Sequence, residues 1–269
     1  MSKKSIIIFL TLLIAIVLFT FFGDLIWHQS PYKFNKDAIL SPPSFAHPFG
    51  TDRLGRDILA RVIEGGKVSL IIGVGSAIIS SLIGLIMGVS AGYFRGWWDK
   101  SFVVIVDLFL TFPTFFLLLT LISYMPASTL ILIVVISITG WMSTARLIRS
   151  ESFKIASSPY IKILKVAKVP TIKIIFKYFL PALAPIFFIS FTFGVSGAIL
   201  AESSLSFLGL GIMPPQMSWG SILSDGKSVM EIAWWVSFFP GFFIFLVTFL
   251  LIQLSDYLQQ ITNKREIKR

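Results

Sequence analysis

The chain has 269 residues, 55% of them apolar and only 13% charged. A mean hydropathy of +0.87 and about half the charge of a soluble domain exclude a soluble enzyme and leave no room for a large aqueous domain. The absence of cysteine excludes a disulfide framework and a thiolate metal site, and the net charge of +10 gathers in loops, where it marks orientation rather than nucleic-acid binding.

A bilayer core about 30 Å thick needs roughly 20 mostly apolar residues per crossing helix, and six runs meet that length. They are Ile6 to Phe22, Val68 to Phe94, Phe102 to Ser123, Thr129 to Leu147, Phe179 to Ala201 and Val236 to Tyr257. The first lacks a small-residue cleavage site after it and reads as an uncleaved anchor. With both termini in the cytoplasm, inside segments hold sixteen Lys and Arg and outside segments seven, the bias expected of cytoplasmic loops. All seven tryptophans fall near predicted span ends, as an interfacial belt requires.

The organisation that follows has four parts. Residues 1–23 are a short tail and the first span, and 24–67 an outer segment. Residues 68–258 form a five-helix core with an inner loop at 148–178, and 259–269 a basic cytoplasmic tail. In the outer segment, Leu54, Ile58, Leu59, Val62 and Ile63 recur at helical spacing after Thr51 or Asp52 as N-cap, and Gly65-Gly66 ends the run. That pattern predicts a short amphipathic helix on the outer interface.

Four features bear on function. Ser76, Ser80, Gly84, Gly88 and Gly92 form a stripe of small residues at intervals of four. Such a stripe lets helix backbones approach closely in lipid, either within this chain or against a pore or partner subunit. Asp107 lies inside the third span. An intramembrane carboxylate faces a cavity or a partner, so Asp107 either meets substrate or a proton, or pairs with a loop cation such as Arg95 or Lys100. Glu202, with Ser203 and Ser206, opens the stretch Glu202 to Gly220, where glycines and Pro214-Pro215 leave helical form at a membrane boundary. Irregular backbone there lines a protein cavity or a water-filled path, so Glu202 is a candidate for the transport path, with capping of the following turn as the alternative. Finally, the inner loop from Arg146 to Tyr178 carries eight cations and one acid, Glu151. Tyr160, Ile161, Ile163, Leu164 and Ala167 give one short helix an apolar face, Pro170 breaks it, and a second piece, Ile172 to Phe179, leads to Leu180-Pro181. The pair reads as a docking surface, or as a basic loop held to anionic lipid. The chain has no glycine-rich phosphate loop ending in Gly-Lys-Ser or Gly-Lys-Thr and no His cluster, so neither a nucleotide site nor a metal site is expected.

Three segments carry a family resemblance: His47 to Asp57, Ala91-Gly92-Tyr93 with Asp99 and Asp107 downstream, and Glu202 to Gly220. Together they resemble the C-type permeases of dipeptide, oligopeptide and nickel ABC importers, in the same order from about residue 45 to 258. The resemblance implies an all-α integral membrane protein with the type I ABC importer permease fold and a place in the bacterial inner membrane. It implies a heterodimer with a second permease subunit, two ATPase subunits that carry ATP and Mg, and an extracytoplasmic binding protein. It makes the inner loop the ATPase-coupling segment, with Tyr160, Ile161, Lys162, Leu164, Lys165 and Lys168 on its helix. Members read Glu-Ala-Ala, then Gly, then Leu-Pro. This chain has Lys162, Ile163 and Leu164, then Lys168, and keeps only Leu180-Pro181. Pro170 is expected to supply the turn that the glycine allows elsewhere. A proton-coupled transporter using Asp107 and a non-transporting membrane scaffold are the competing readings.

Overall fold

The computed structural model describes residues 3–126 and 128–267. Ten helices follow one another among them: α1 Lys3–Phe22, α2 Ile58–Phe94, α3 Gly96–Thr111, α4 Thr114–Ser123, α5 Thr129–Ser157, α6 Pro159–Val166, α7 Thr171–Ile174, α8 Leu180–Phe207, α9 Trp219–Gly226 and α10 Trp235–Ile267. No strand is named among the described residues. Five helical segments are long and apolar enough to cross a membrane, and α3 with α4 makes a sixth if the bent pair is one span. The short α6 and α9 lie at opposite ends of the bundle.

The third predicted span is therefore not one helix. Pro113 has no amide to donate, and the residue before a proline is pushed out of helical geometry. Phe112 sits at φ −81°, ψ 135°, and α3 and α4 diverge there by 80°.

The outer amphipathic helix is also corrected. Helix begins at Ile58, where Asp57 rather than Thr51 or Asp52 is the N-cap and accepts the Ala60 amide at 2.7 Å. It does not stop at Gly65-Gly66 but runs on to Phe94. Those glycines serve close approach instead: a Cβ on Gly66 would sit 2.7 Å from the Trp219 ring, and one on Gly65 2.9 Å from Ile222. Trp219, expected in the interfacial belt, is instead fully buried against that bare stretch and donates from Nε1 to the Val62 carbonyl at 2.9 Å.

The most extensive helix pairing joins α2 to α5, and the small-residue stripe lies on it. A Cβ would meet Thr144 Cβ at 2.8 Å from Gly84, the Ala145 carbonyl at 2.6 Å from Gly88 and Ser152 Cβ at 2.5 Å from Gly92. Ser76 reaches the Ile133 carbonyl at 3.4 Å, and Ser80 turns back to Ala77 at 3.3 Å. The stripe thus meets a helix of its own chain.

Residues 23–57 form a strap across the α9 end. Asp52 accepts from the amides of Leu54 and Arg56 at 2.8 and 2.9 Å, from Arg56 Nε at 2.7 Å and from Arg61 at 2.5 Å. Arg61 also reaches Asp225 on α9 at 2.9 Å. Asp57 accepts from Trp27 Nε1 at 3.0 Å and faces His47 Nδ1 at 2.8 Å. Phe49 stacks on Phe239 of α10 with centroids 3.9 Å apart. The long His47 to Asp57 segment is thus a clasp that fixes the strap to α2, α9 and α10.

At the other end α7 runs through a π turn, Ile175–Phe179, straight into α8. Pro181 cannot bond back to the carbonyl four residues earlier, and its ring crowds that carbonyl, which widens the preceding turn. α10 continues past Tyr257 to Ile267; residues 268 and 269 of the expected basic tail lie outside the described residues.

Candidate functional site

α6 is anchored from one side and bare on the other. Ser158 leaves helical geometry to end α5, and Pro159 starts α6 with φ already set. Ile161 is fully buried against the cluster of Ile148, Ile174, Phe179 and Leu183, with Leu164 at its edge. Tyr160, Ile163 and Val166 are 46%, 67% and 84% exposed, three residues apart on the opposite face. The single apolar face expected at 160–167 is therefore two faces, one holding the helix and one offered outward.

Basic residues surround the outward face. Lys162, Lys165 and Lys168 are all exposed, and Lys165 Nζ rests 4.1 Å above the Tyr93 ring. Burial there, and then the charge of Arg95, lower its pKa from the ordinary value. Arg95 caps α2 and crosses to α5, donating to the Phe153 carbonyl at 2.9 Å and Ser157 Oγ at 2.6 Å. Lys168 itself makes the turn after α6, at φ 55°. A non-glycine residue in this left-handed region costs roughly 1 kcal/mol, so the backbone takes the shape a glycine would give without one. Pro170 does not supply that turn; it caps α7.

Asp107 faces neither Arg95 nor Lys100. It pairs with Arg146 on α5, both side chains about half exposed, and a second α3–α5 link, in which Arg149 donates to Asp99 at 2.8 Å, lies nearer the α6 end.

Glu202 is wholly enclosed. Its carboxylate accepts from Ser206 Oγ at 2.7 Å, Ser69 Oγ at 3.0 Å and Ser203 Oγ at 3.4 Å. Ser69 Oγ in turn accepts the Trp219 amide at 3.1 Å, and Ser206 Oγ the Ile212 amide at 3.1 Å. This knot ties the end of α8, the 208–218 turn, α9 and α2 together. Glu202 holds that turn; it lines neither of the two cavities described next. Its partners at 203 and 206 share a helical face visible in the sequence, whereas Ser69, 133 residues away, had no signal.

The first cavity, about 550 Å³, lies between α5, α8 and α10 and runs from Gly140 and Phe193 to Glu151 and Gln259 near the α6 end. Ser143, Thr144 and Ser190 also line it. A second, about 540 Å³, is more apolar, with Leu200, Ser203, Phe207 and Ile244 on its wall. Sequence reasoning placed no residue of the first cavity in a transport role, because its wall is assembled from three spans. Among the described residues, no group of three or more His, Asp and Glu is gathered to hold a metal.

These features define a multi-pass helical membrane protein with a separate short helix held out at one end. Residues 68–268 match the family described as binding-protein-dependent transport system inner membrane component, and the chain belongs to that family. It is 39% identical over 219 residues to the dipeptide transport system permease protein DppC of Bacillus subtilis, covering 81% of this chain and 68% of that one. It is 34% identical over 220 residues to the oligopeptide transport system permease protein OppC of Haemophilus influenzae, covering 82% and 71%. A putative peptide transport system permease protein of Brucella suis is 32% identical and covers 98% of this chain and 89% of its own. Among solved structures, an inward-facing form of the MetNI methionine ABC transporter has the same fold, with a TM-score of 0.59 at 16% identity over 74% of this chain and 96% of that one. The chain is thus an importer permease with the ABC type I fold, not itself an enzyme.

Proposed function

We propose that this chain is one of two different permease subunits of a peptide importer driven by ATP hydrolysed on separate ATPase chains with Mg, and fed by an extracytoplasmic binding protein. The observation that carries the reading is the two-faced α6. Ile161 locks it to the core while Tyr160, Ile163 and Val166 wait uncovered within a ring of lysines. A push on that surface reaches α8 through Ile161, Ile174 and Phe179, which share one cluster. A two-state element biased from one site is what alternating access requires.

The α6 end would then be cytoplasmic, with both termini on that side, in accord with the eight cations from Arg146 to Lys177. The strap and α9 would face the binding protein. The cavity between α5, α8 and α10 would be this chain's share of the path, in place of Glu202, Ser203, Ser206 and Asp107. Residues 68–258 would form the permease core, with 1–23, 24–67 and 259–269 as additions to it. Peptide is favoured over nickel because the relatives above are named as peptide permeases.

The test is uptake of a labelled dipeptide and of labelled nickel by cells lacking only this chain, restored with the wild type or with Ile163→Asp. Loss of dipeptide uptake, rescued by wild type and not by Ile163→Asp, is the expected result. Full rescue by Ile163→Asp would remove the coupling role of α6, and loss of nickel uptake instead would remove the peptide assignment.

A further inference from the structure

The eight cations of the inner loop divide into two groups. Those on α5 are each matched to an acid: Arg146 to Asp107, Arg149 to Asp99 and Lys154 to Glu151. Those beyond α5, at Lys162, Lys165, Lys168, Lys173 and Lys177, are all exposed. Among the described residues none of these five forms an ion pair. Lys162 and Lys165 stand one turn apart on α6, where like charges repel. Lys168 holds its left-handed backbone at φ 55°, a conformation that glycine adopts freely and lysine only at a cost. The fold gains nothing from this charge and gives up something to present it.

The charge is also placed. At about 3.6 residues per turn, Lys162 and Lys165 run along one edge of the bare strip of Tyr160, Ile163 and Val166, and Lys168 stands at its end. Lys165 is steadied over the Tyr93 ring at 4.1 Å. A partner that covers the strip must therefore meet positive charge along one side of it. A lipid surface carries apolar tails and negative headgroups, but α6 stands clear of it. Counted from Thr129, the roughly 20 residues that cross the hydrocarbon end near Arg149. The remainder of α5, to Ser157, carries α6 about 12 Å further, past the headgroups.

We infer that the ATPase subunit paired with this chain receives α6 in an apolar slot edged by Asp or Glu side chains, which take the charge of Lys162, Lys165 and Lys168. The inference rests on the coupling role of α6 and deepens it: the apolar strip supplies the contact, and the lysines select which ATPase can make it.

The test uses the permease pair in nanodiscs of neutral lipid, stripped of its ATPases. Rebinding of the ATPases is timed at about 0.1 M and about 1 M salt, between which the screening length falls from about 10 Å to about 3 Å. The wild-type rate is expected to fall about tenfold, as for association steered by opposite charge. Lys162→Glu with Lys168→Glu should slow rebinding about tenfold at the lower salt and remove the salt dependence. Lys100→Glu, at an exposed position on α3, should change neither. A zero-length carbodiimide coupling, read by mass spectrometry, should join Lys162 or Lys168 to a carboxylate of the ATPase. A salt-independent wild-type rate, or a double variant that rebinds as the wild type does, overturns the inference; the coupling reading survives that result if Ile163→Asp still blocks rebinding. If Ile163→Asp rebinds normally, the coupling reading has failed and the inference fails with it. A lysine effect that emerges only when anionic phosphatidylglycerol is added to the discs assigns the lysines to the membrane and overturns the inference as well.

Discussion

Ser69 and Glu202, 133 residues apart in the chain, meet at 3.0 Å in the interior of the bundle, and the Ser69 hydroxyl that donates to the carboxylate also accepts the amide of Trp219 at 3.1 Å. One serine thereby joins the second helix, the end of α8 and the start of α9. The join is stronger than its size suggests, because every group in it is shut away from water.

Breaking that join should be costly for the fold. Glu202→Ala leaves the hydroxyls of Ser69, Ser203 and Ser206 without their shared acceptor, at about 1–3 kcal/mol for each group left unpaired. A marked drop in the thermal midpoint of the detergent-solubilised importer is expected. Glu202→Gln, which keeps the shape and one acceptor oxygen, should fall between wild type and alanine. Equal midpoints for all three would show that the knot contributes nothing.

Gly66 should tolerate no side chain. In Gly66→Ala the new methyl would sit 2.7 Å from both the Trp219 ring and Thr20, and overpacking of this kind costs about 1–3 kcal/mol. Gly197, which has nothing within 4 Å of a built Cβ, serves as the control. Replacing it with alanine should leave the thermal midpoint unchanged or raise it.

On α6, adjacent faces should give opposite phenotypes. Ile161→Asp puts a charge into a fully closed apolar site and should lower stability in the chain on its own, with the several kcal/mol typical of a buried unpaired charge. Ile163→Asp should leave thermal stability alone and abolish ATPase-driven uptake. Two variants with the same stability loss would mean that α6 has no free face.

The Asp107–Arg146 pair should prove dispensable for transport. Asp107 lines neither cavity, and a second link between the same two helices, Arg149 to Asp99, stands beside the pair. Asp107→Asn is expected to retain ATP-driven uptake. Complete loss of uptake together with a lost response to the proton gradient would restore the proton-relay reading.

What the sequence disclosed depended on how far apart the partners were. The six apolar runs were visible because lipid imposes length and composition on each run separately. That no helix could run unbroken through Pro170 was visible, because a proline constrains its immediate neighbours, but the turn itself falls at Lys168. Gly65-Gly66 misled: two glycines after an amphipathic run look like a stop, and nothing nearby announces that Trp219 will press against them. Glu202 reads from the sequence as either a path residue or a cap of the following turn. Its hydroxyls at 203 and 206 are in plain sight, while the closure of the knot comes from Ser69 and from the packing of α9. The apolar residues from 160 to 167 lie on both sides of one short helix, so their pattern could not say which half is buried. Pro113 marked a break in the third run, but an 80° bend is set by what the two halves pack against.

The unbroken length of α2 has a mechanical consequence. Thirty-seven residues at 1.5 Å each make a rod of about 55 Å, well beyond a hydrocarbon core of about 30 Å. Near one tip Arg61 is bonded to Asp225 of α9 at 2.9 Å. Near the other, Tyr93 lies edge-on to Phe179 with centroids 5.3 Å apart, and its hydroxyl reaches Thr171 at 3.4 Å. A stiff strut fastened at both tips transmits displacement rather than absorbing it. Tilted by about 10° around one tip, it sweeps the other through roughly 10 Å, as follows from its length. A nudge beside α6 would thereby be felt at α9 without any wire of intervening side chains, the lever arm being a single helix.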